Sequence, residues 1–156
     1  MSYLLLKDIH SVLRWIVILT LLWTLLRYWS GLLSRSEFTQ KDRTSGLIFT
    51  TFLNLQLLLG IIVYATSPFI KGLMANFGGS MKDSVSRFYL VEHPVLMLLA
   101  VIIAQVGFSL SKRAPTDRSR FLKGTVAYTI AGILILIAIP WPFMKYGRPL
   151  FPAIGG

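Results

Sequence analysis

Four long apolar runs set the pattern of this chain. They cover approximately 9–26, 46–67, 91–111 and 125–143, and most charged residues fall between or beyond them. A helix needs about 20 residues to cross the roughly 30 Å hydrocarbon layer of a bilayer, so each run predicts one membrane-spanning helix. Short connections make successive helices antiparallel neighbours. The pattern therefore predicts an all-α protein: a four-helix transmembrane bundle of up-down topology, with residues 1–156 as a single integral membrane domain. The first run is long and is not followed by small residues of a cleavage site, which predicts a retained span rather than a signal peptide.

Breaks in the pattern carry their own predictions. The connection 70–87 combines Gly72, Gly78 and Gly79 with the apolar Met74 and Phe77. It reads as a short amphipathic segment on the membrane surface. Asp83 or Ser84 is placed to cap the third helix. Pro94 falls in the early turns of that helix, where it removes a hydrogen bond to Leu90 and predicts a kink; Pro140 and Pro142 predict the same at the end of the fourth. Trp15, Trp29 and Trp141 lie near span ends, as interfacial anchors do.

Composition narrows the picture. The chain is 54% hydrophobic with a mean hydropathy of +0.67, above the balance of ordinary soluble domains. It has no cysteine, which excludes disulfides, thiolate metal sites and iron–sulfur clusters. The net charge of +10 does not point to nucleic acid, because the cations sit at span ends, where anionic lipid headgroups attract them. The lipid bilayer is the expected partner. Arg27, Arg35, Lys41 and Arg43 flank one connection, and Lys112, Arg113, Arg118, Arg120 and Lys123 crowd another on the same side. The opposite side spreads Lys7, Lys71, Lys82, Arg87, Lys145 and Arg148 over two tails and a longer loop. This bias predicts a multi-pass protein with the first two loops cytoplasmic and both termini outward.

Candidate chemistry rests on two histidines, His10 and His93, the only two in the chain. Counting about 20 residues back from Arg27 in the first span reaches Lys7–Asp8, and the same count from Lys112 in the third reaches Glu92. Both histidines thus lie just inside the outer boundary, at one depth, on helices running the same way. In a four-helix bundle those helices are diagonal neighbours. With adjacent axes about 8–10 Å apart, the diagonal is roughly 12–14 Å, wide enough for two imidazoles with an iron between them. One haem b ligated by His10 and His93 is the expected cofactor. Two histidines without a carboxylate cluster do not complete a tetrahedral zinc site. Met97, one turn below His93, is an alternative ligand or a core methionine.

Other polar residues at membrane depth extend this reading. Arg14 lies one turn below His10 on the same face, and a charge there must pair or reach water. Glu92 is its expected partner, either as a relay beside the cofactor or as a structural pair. Arg87 and Lys7 lie where haem propionates would emerge, or among headgroups. Asn54, Gln56 and Gln105 predict interhelical hydrogen bonds. Tyr64, Tyr89 and Tyr128 line a quinone cleft or simply pack. Gly124, Tyr128 and Gly132 share a face, as do Ala100, Ala104 and Gly107; each permits close helix approach or room for a flat macrocycle.

The segments HSVLRW (His10–Trp15), MKDSVSRFYLVEH (Met81–His93) and AIPWPF (Ala138–Phe143) resemble a group of small bacterial four-helix membrane proteins of cytochrome b type. The likeness spans essentially the whole chain. It implies a bacterial inner-membrane protein in respiratory electron transfer, working with quinol or with other membrane subunits of a respiratory complex. The plan is also similar to that of ascorbate- and copper-linked transmembrane cytochromes b, which carry two histidine pairs. This chain supplies only the outer pair, which implies one haem and no electron path across the full membrane. The competing expectation is a structural subunit of a larger membrane complex with no cofactor of its own. A transporter is disfavoured because no span is broken at mid-membrane by paired Gly and Pro.

Overall fold

The computed structural model describes residues 2–152, and these are helical almost throughout. The long helices are α1 (Tyr3–Ser34), α2 (Gln40–Thr66), α5 (Ser84–Arg113) and α6 (Asp117–Ala138), each long and apolar enough to cross a membrane. Two short helices, α3 (Pro68–Ala75) and α4 (Phe77–Ser80), fill the connection between α2 and α5. That connection is thus the short surface segment the sequence predicts, but split in two at Asn76.

Local chemistry fixes the ends. Ser2 Oγ accepts from Leu5 N–H and starts α1. Arg35, at φ 54°, takes the left-handed conformation that closes α1, and its N–H returns to Gly31 O. Asp42 accepts from both the amide and the hydroxyl of Thr39, at 2.8 and 2.7 Å, to start α2. The same buried carboxylate takes Arg27 from α1 at 2.8 Å, so one acid serves as cap and as interhelical tie. Asp83, rather than Ser84, caps α5 by accepting from Ser86. The Ser86 hydroxyl and amide hold its carboxyl below the usual carboxylate range.

The four long helices form an antiparallel ring. α1 packs on α2 and α6, and α5 packs on the same two. Helices α1 and α5 are therefore diagonal, as expected from the order of the spans. Close approach between α5 and α6 is set by Gly107, where a Cβ would collide with Ala127, and by the fully buried Ala100 and Ala104.

Two expectations are corrected. α6 stops at Ala138, five residues before the predicted end at Phe143. A residue before proline is pushed out of the helical region; Ile139, before Pro140, is extended with ψ 128°. Pro140 and Pro142 thus end the helix rather than kink it, and the tail beyond folds back over the bundle. At Pro94, α5 is accommodated by a π-turn over Phe88–Glu92, in which His93 N–H reaches back five residues to Phe88 O.

Candidate functional site

The histidine-bearing end of the bundle is hollow. A cavity of about 330 Å³ lies among α1, α2, α5 and the tail, with His10, Arg14, Gln56, Gly60, His93 and Met97 in its wall. That size is at the lower end of the roughly 300–1,000 Å³ of small-molecule sites. His10 and His93 meet across the diagonal with ring centroids 6.4 Å apart and planes at 77°.

Each histidine is placed by a different device. His93 Nδ1 lies 2.7 Å from Ala138 O. A carbonyl only accepts, so Nδ1 donates and Nε2 keeps its lone pair, the tautomer of a metal-binding imidazole held by an outer partner. Ala138 O is available because α6 ends there and Pro142 has no N–H to offer it. The same logic recurs at Leu136 O, four residues before Pro140, which accepts from Trp141 Nε1 at 2.8 Å. It recurs again at Leu90 O, four before Pro94, which accepts from Tyr64 Oη at 2.8 Å. Three prolines each free a carbonyl, and each carbonyl takes a side-chain donor.

His10 is held from α2. Gln56 Nε2 donates to His10 O at 3.0 Å, the interhelical bond expected of that residue. Gly60 faces the imidazole, and a Cβ there would come within 3.1 Å of His10 Cε1. Glycine is what lets the Cε1–Nδ1 edge of the ring come this close to α2. His10 Nδ1, Arg14 Nε and Gln56 Oε1 are buried and have no hydrogen-bond partner among the described residues. Three orphaned polar atoms in one wall mark a site shaped for something other than lipid tails.

Charge around the cavity is one-sided. Lys7, Arg14 and Arg148 line it, with no aspartate or glutamate among the described lining residues. Arg14 does not pair with Glu92, contrary to expectation. Its Nη2 donates to Leu150 O in the returning tail, and Trp15 Nε1 donates to the same carbonyl at 3.1 Å. Glu92 is taken instead by Arg87 at 2.7 Å. The π-turn explains this, because it brings residues five apart onto one face. Arg87 also reaches Met81 O and is not part of the cavity wall.

Arg148 stands out only in the fold. Its Nε donates to Tyr89 Oη at 2.9 Å, its guanidinium lies 4.5 Å from the Tyr89 ring centre, and Tyr89 Oη donates to Tyr146 O. Tyr146 in turn stacks on Phe88 at 3.7 Å. The tail so becomes a strap across the mouth of the site. Tyr64 and Tyr89 line the cavity, whereas Tyr128 lies in the aromatic core at the other end, against Tyr28 and Phe49. Asn54 faces outward and is exposed, and Gln105 is half-buried.

The arrangement has definite chemical capacity. Two metal–nitrogen bonds of about 2 Å, plus about 1 Å from each nitrogen to its ring centre, would separate two imidazoles sharing one metal ion by roughly 6 Å. The 6.4 Å spacing matches that sum. No group of three His, Cys, Asp or Glu is gathered among the described residues, so the two imidazoles are the only such side chains paired at this cavity among them. No protein family, no curated protein and no solved structure matches this chain.

Proposed function

We propose that this chain is a membrane-bound b-type cytochrome that holds one haem between His10 and His93. The observation that carries this is the 6.4 Å pairing of the two imidazoles across a bundle diagonal, beside a cavity whose polar wall atoms lack partners among the described residues. Bound there, haem supplies one-electron exchange. The chain does the rest. His10 and His93 would hold the iron through their ring nitrogens, and Ala138 O fixes the His93 tautomer. Lys7 and Arg148, at the mouth, are placed for the two propionates, and Arg14 adds a deeper positive charge that favours the reduced state. Met97 serves as wall rather than ligand.

The electron partner on this reading is quinol or a neighbouring respiratory subunit, met on the side that the histidine end faces. The sparser, more scattered cations at that end support an outward orientation in a bacterial inner membrane. Purified protein expressed with ample haem should show a Soret band that shifts, and visible bands that sharpen, on dithionite reduction. Colourless protein overturns the reading.

One observation favours the second reading, a cofactor-free subunit of a larger assembly. Asn54 sits mid-helix on α2 with its amide exposed among Leu55, Leu58 and Ile61, themselves exposed. A lipid-facing amide gains from a hydrogen-bonding partner on another chain. The same spectrum separates the two readings.

A further inference from the structure

We infer that Tyr64 and Pro94 together set the orientation of His93, with Tyr64 as a positioning residue; this rests on the haem reading above. Backbone chemistry supplies the first step. Pro94 has no N–H, so Leu90 O loses its helical donor, and the proline ring crowds the same carbonyl. The chain responds with the π-turn over Phe88–Glu92. One extra residue in a turn rotates what precedes it by about 100° relative to a regular helix. Phe88, not Tyr89, therefore comes to lie one turn before His93. The Phe88 ring is buried, 5.9 Å from the imidazole centre, and Tyr89 is turned to receive Arg148.

A π-turn is rarer and less favourable than the α-helix it interrupts. It is accommodated here with the carbonyl that Pro94 strips of its donor satisfied, because Leu90 is 3% exposed and a buried unpaired acceptor is costly. Tyr64 is the donor. It comes from α2, the helix that also seats His10 through Gln56 and Gly60. One helix thus governs both imidazoles: His10 by direct contact, His93 through Leu90 O.

The test is a double-mutant cycle on the full chain in nanodiscs, loaded with haem. Three quantities are read: the low-spin EPR g values, the rate of haem loss to a scavenger, and thermal unfolding of the haem-free protein. Tyr64→Phe should shift the g values and speed haem loss about fivefold, the scale of one lost hydrogen bond. Pro94→Ala restores an N–H to Leu90 O and relaxes the π-turn. In that background Tyr64→Phe should change neither the g values nor haem loss, which is the signature of two residues acting on one carbonyl. If Tyr64→Phe lowers thermal stability but leaves the g values and haem loss unchanged, Tyr64 only braces the bundle and the inference falls. Equal effects of Tyr64→Phe in the wild-type and Pro94→Ala backgrounds overturn it as well. Wild-type protein that takes up no haem overturns the haem reading itself, and this inference with it.

Discussion

The two ends of the bundle are built from similar residues and packed in opposite ways. At the far end, glycines are filled by rings from facing helices. Gly124 receives the Tyr28 ring, Gly31 receives Phe121, and Gly46 lies under the Tyr128 hydroxyl, where a Cβ would come within 2.6 Å. Tyr28, Phe49, Phe121 and Tyr128 are fully buried, with edge-to-face contacts at 5.0–5.7 Å, the geometry aromatic pairs prefer. At the histidine end, Gly60 faces an imidazole instead, and the space beside it stays open. Glycine therefore means opposite things in the two halves. At one end it brings helices together around rings, and at the other it seats a ring beside open space.

The largest test of that contrast is loss of the imidazoles. His10→Ala and His93→Ala should each abolish the low-spin spectrum, and the double variant should add nothing further, because the pair acts as one unit. His10→Ala should leave unfolding of the haem-free protein close to wild type, since that ring borders open space, whereas His93→Ala and the double variant also strand the buried Ala138 O and should lose about 1–3 kcal/mol. A low-spin spectrum surviving either single change would move the ligand role to Met97 or to another chain. The next effect belongs to the far end. Gly124→Ala places a Cβ against the Tyr28 ring and should destabilise by about 1–3 kcal/mol, as overpacking does. Its haem spectrum, per folded protein, should not change; a spectral shift there would show that the halves are coupled.

Smaller effects sharpen the picture at the histidine end. Gly60→Ala asks His10 to give way by a few tenths of an ångström, judged from the 3.1 Å approach. It should cost less than about 1 kcal/mol and alter the haem EPR signal without loss of haem. Arg14→Gln should be the mildest. Removal of a nearby positive charge lowers the midpoint potential, by less than about 60 mV, the equivalent of tenfold in a one-electron equilibrium. A rise in potential would place the Arg14 charge outside the site.

Much of this architecture is legible in the amino-acid sequence. Apolar length predicts four helices, and equal depth counts on the first and third bring His10 and His93 level, because helical rise converts residue number into distance. Pro94 signals a disturbed helix, and Asp83 signals a cap. Other features leave no readable mark. Arg148 and Leu150 lie in a tail with no period, so nothing in their spacing says which helix they meet. The Arg14–Glu92 pairing fails because five-residue spacing counts as a helical neighbour only inside a π-turn, and a proline signals trouble without saying how the backbone resolves it. Gly60 looks like any small residue in a span; its meaning depends on the ring opposite. Asn54 reads as a bundle contact because a one-dimensional pattern does not say which polar residue faces lipid.

The bond from Arg14 to Leu150 O has a consequence in time. At roughly 5–20 residues per second of synthesis, the separation of 136 positions between them takes on the order of ten seconds to cover. For that interval α1 carries a guanidinium whose eventual carbonyl does not yet exist, and that charge must meanwhile meet water or another acceptor. The wall of the cavity is therefore completed last, by Arg148 and the tail around it, long after the helix that bears His10 has been made.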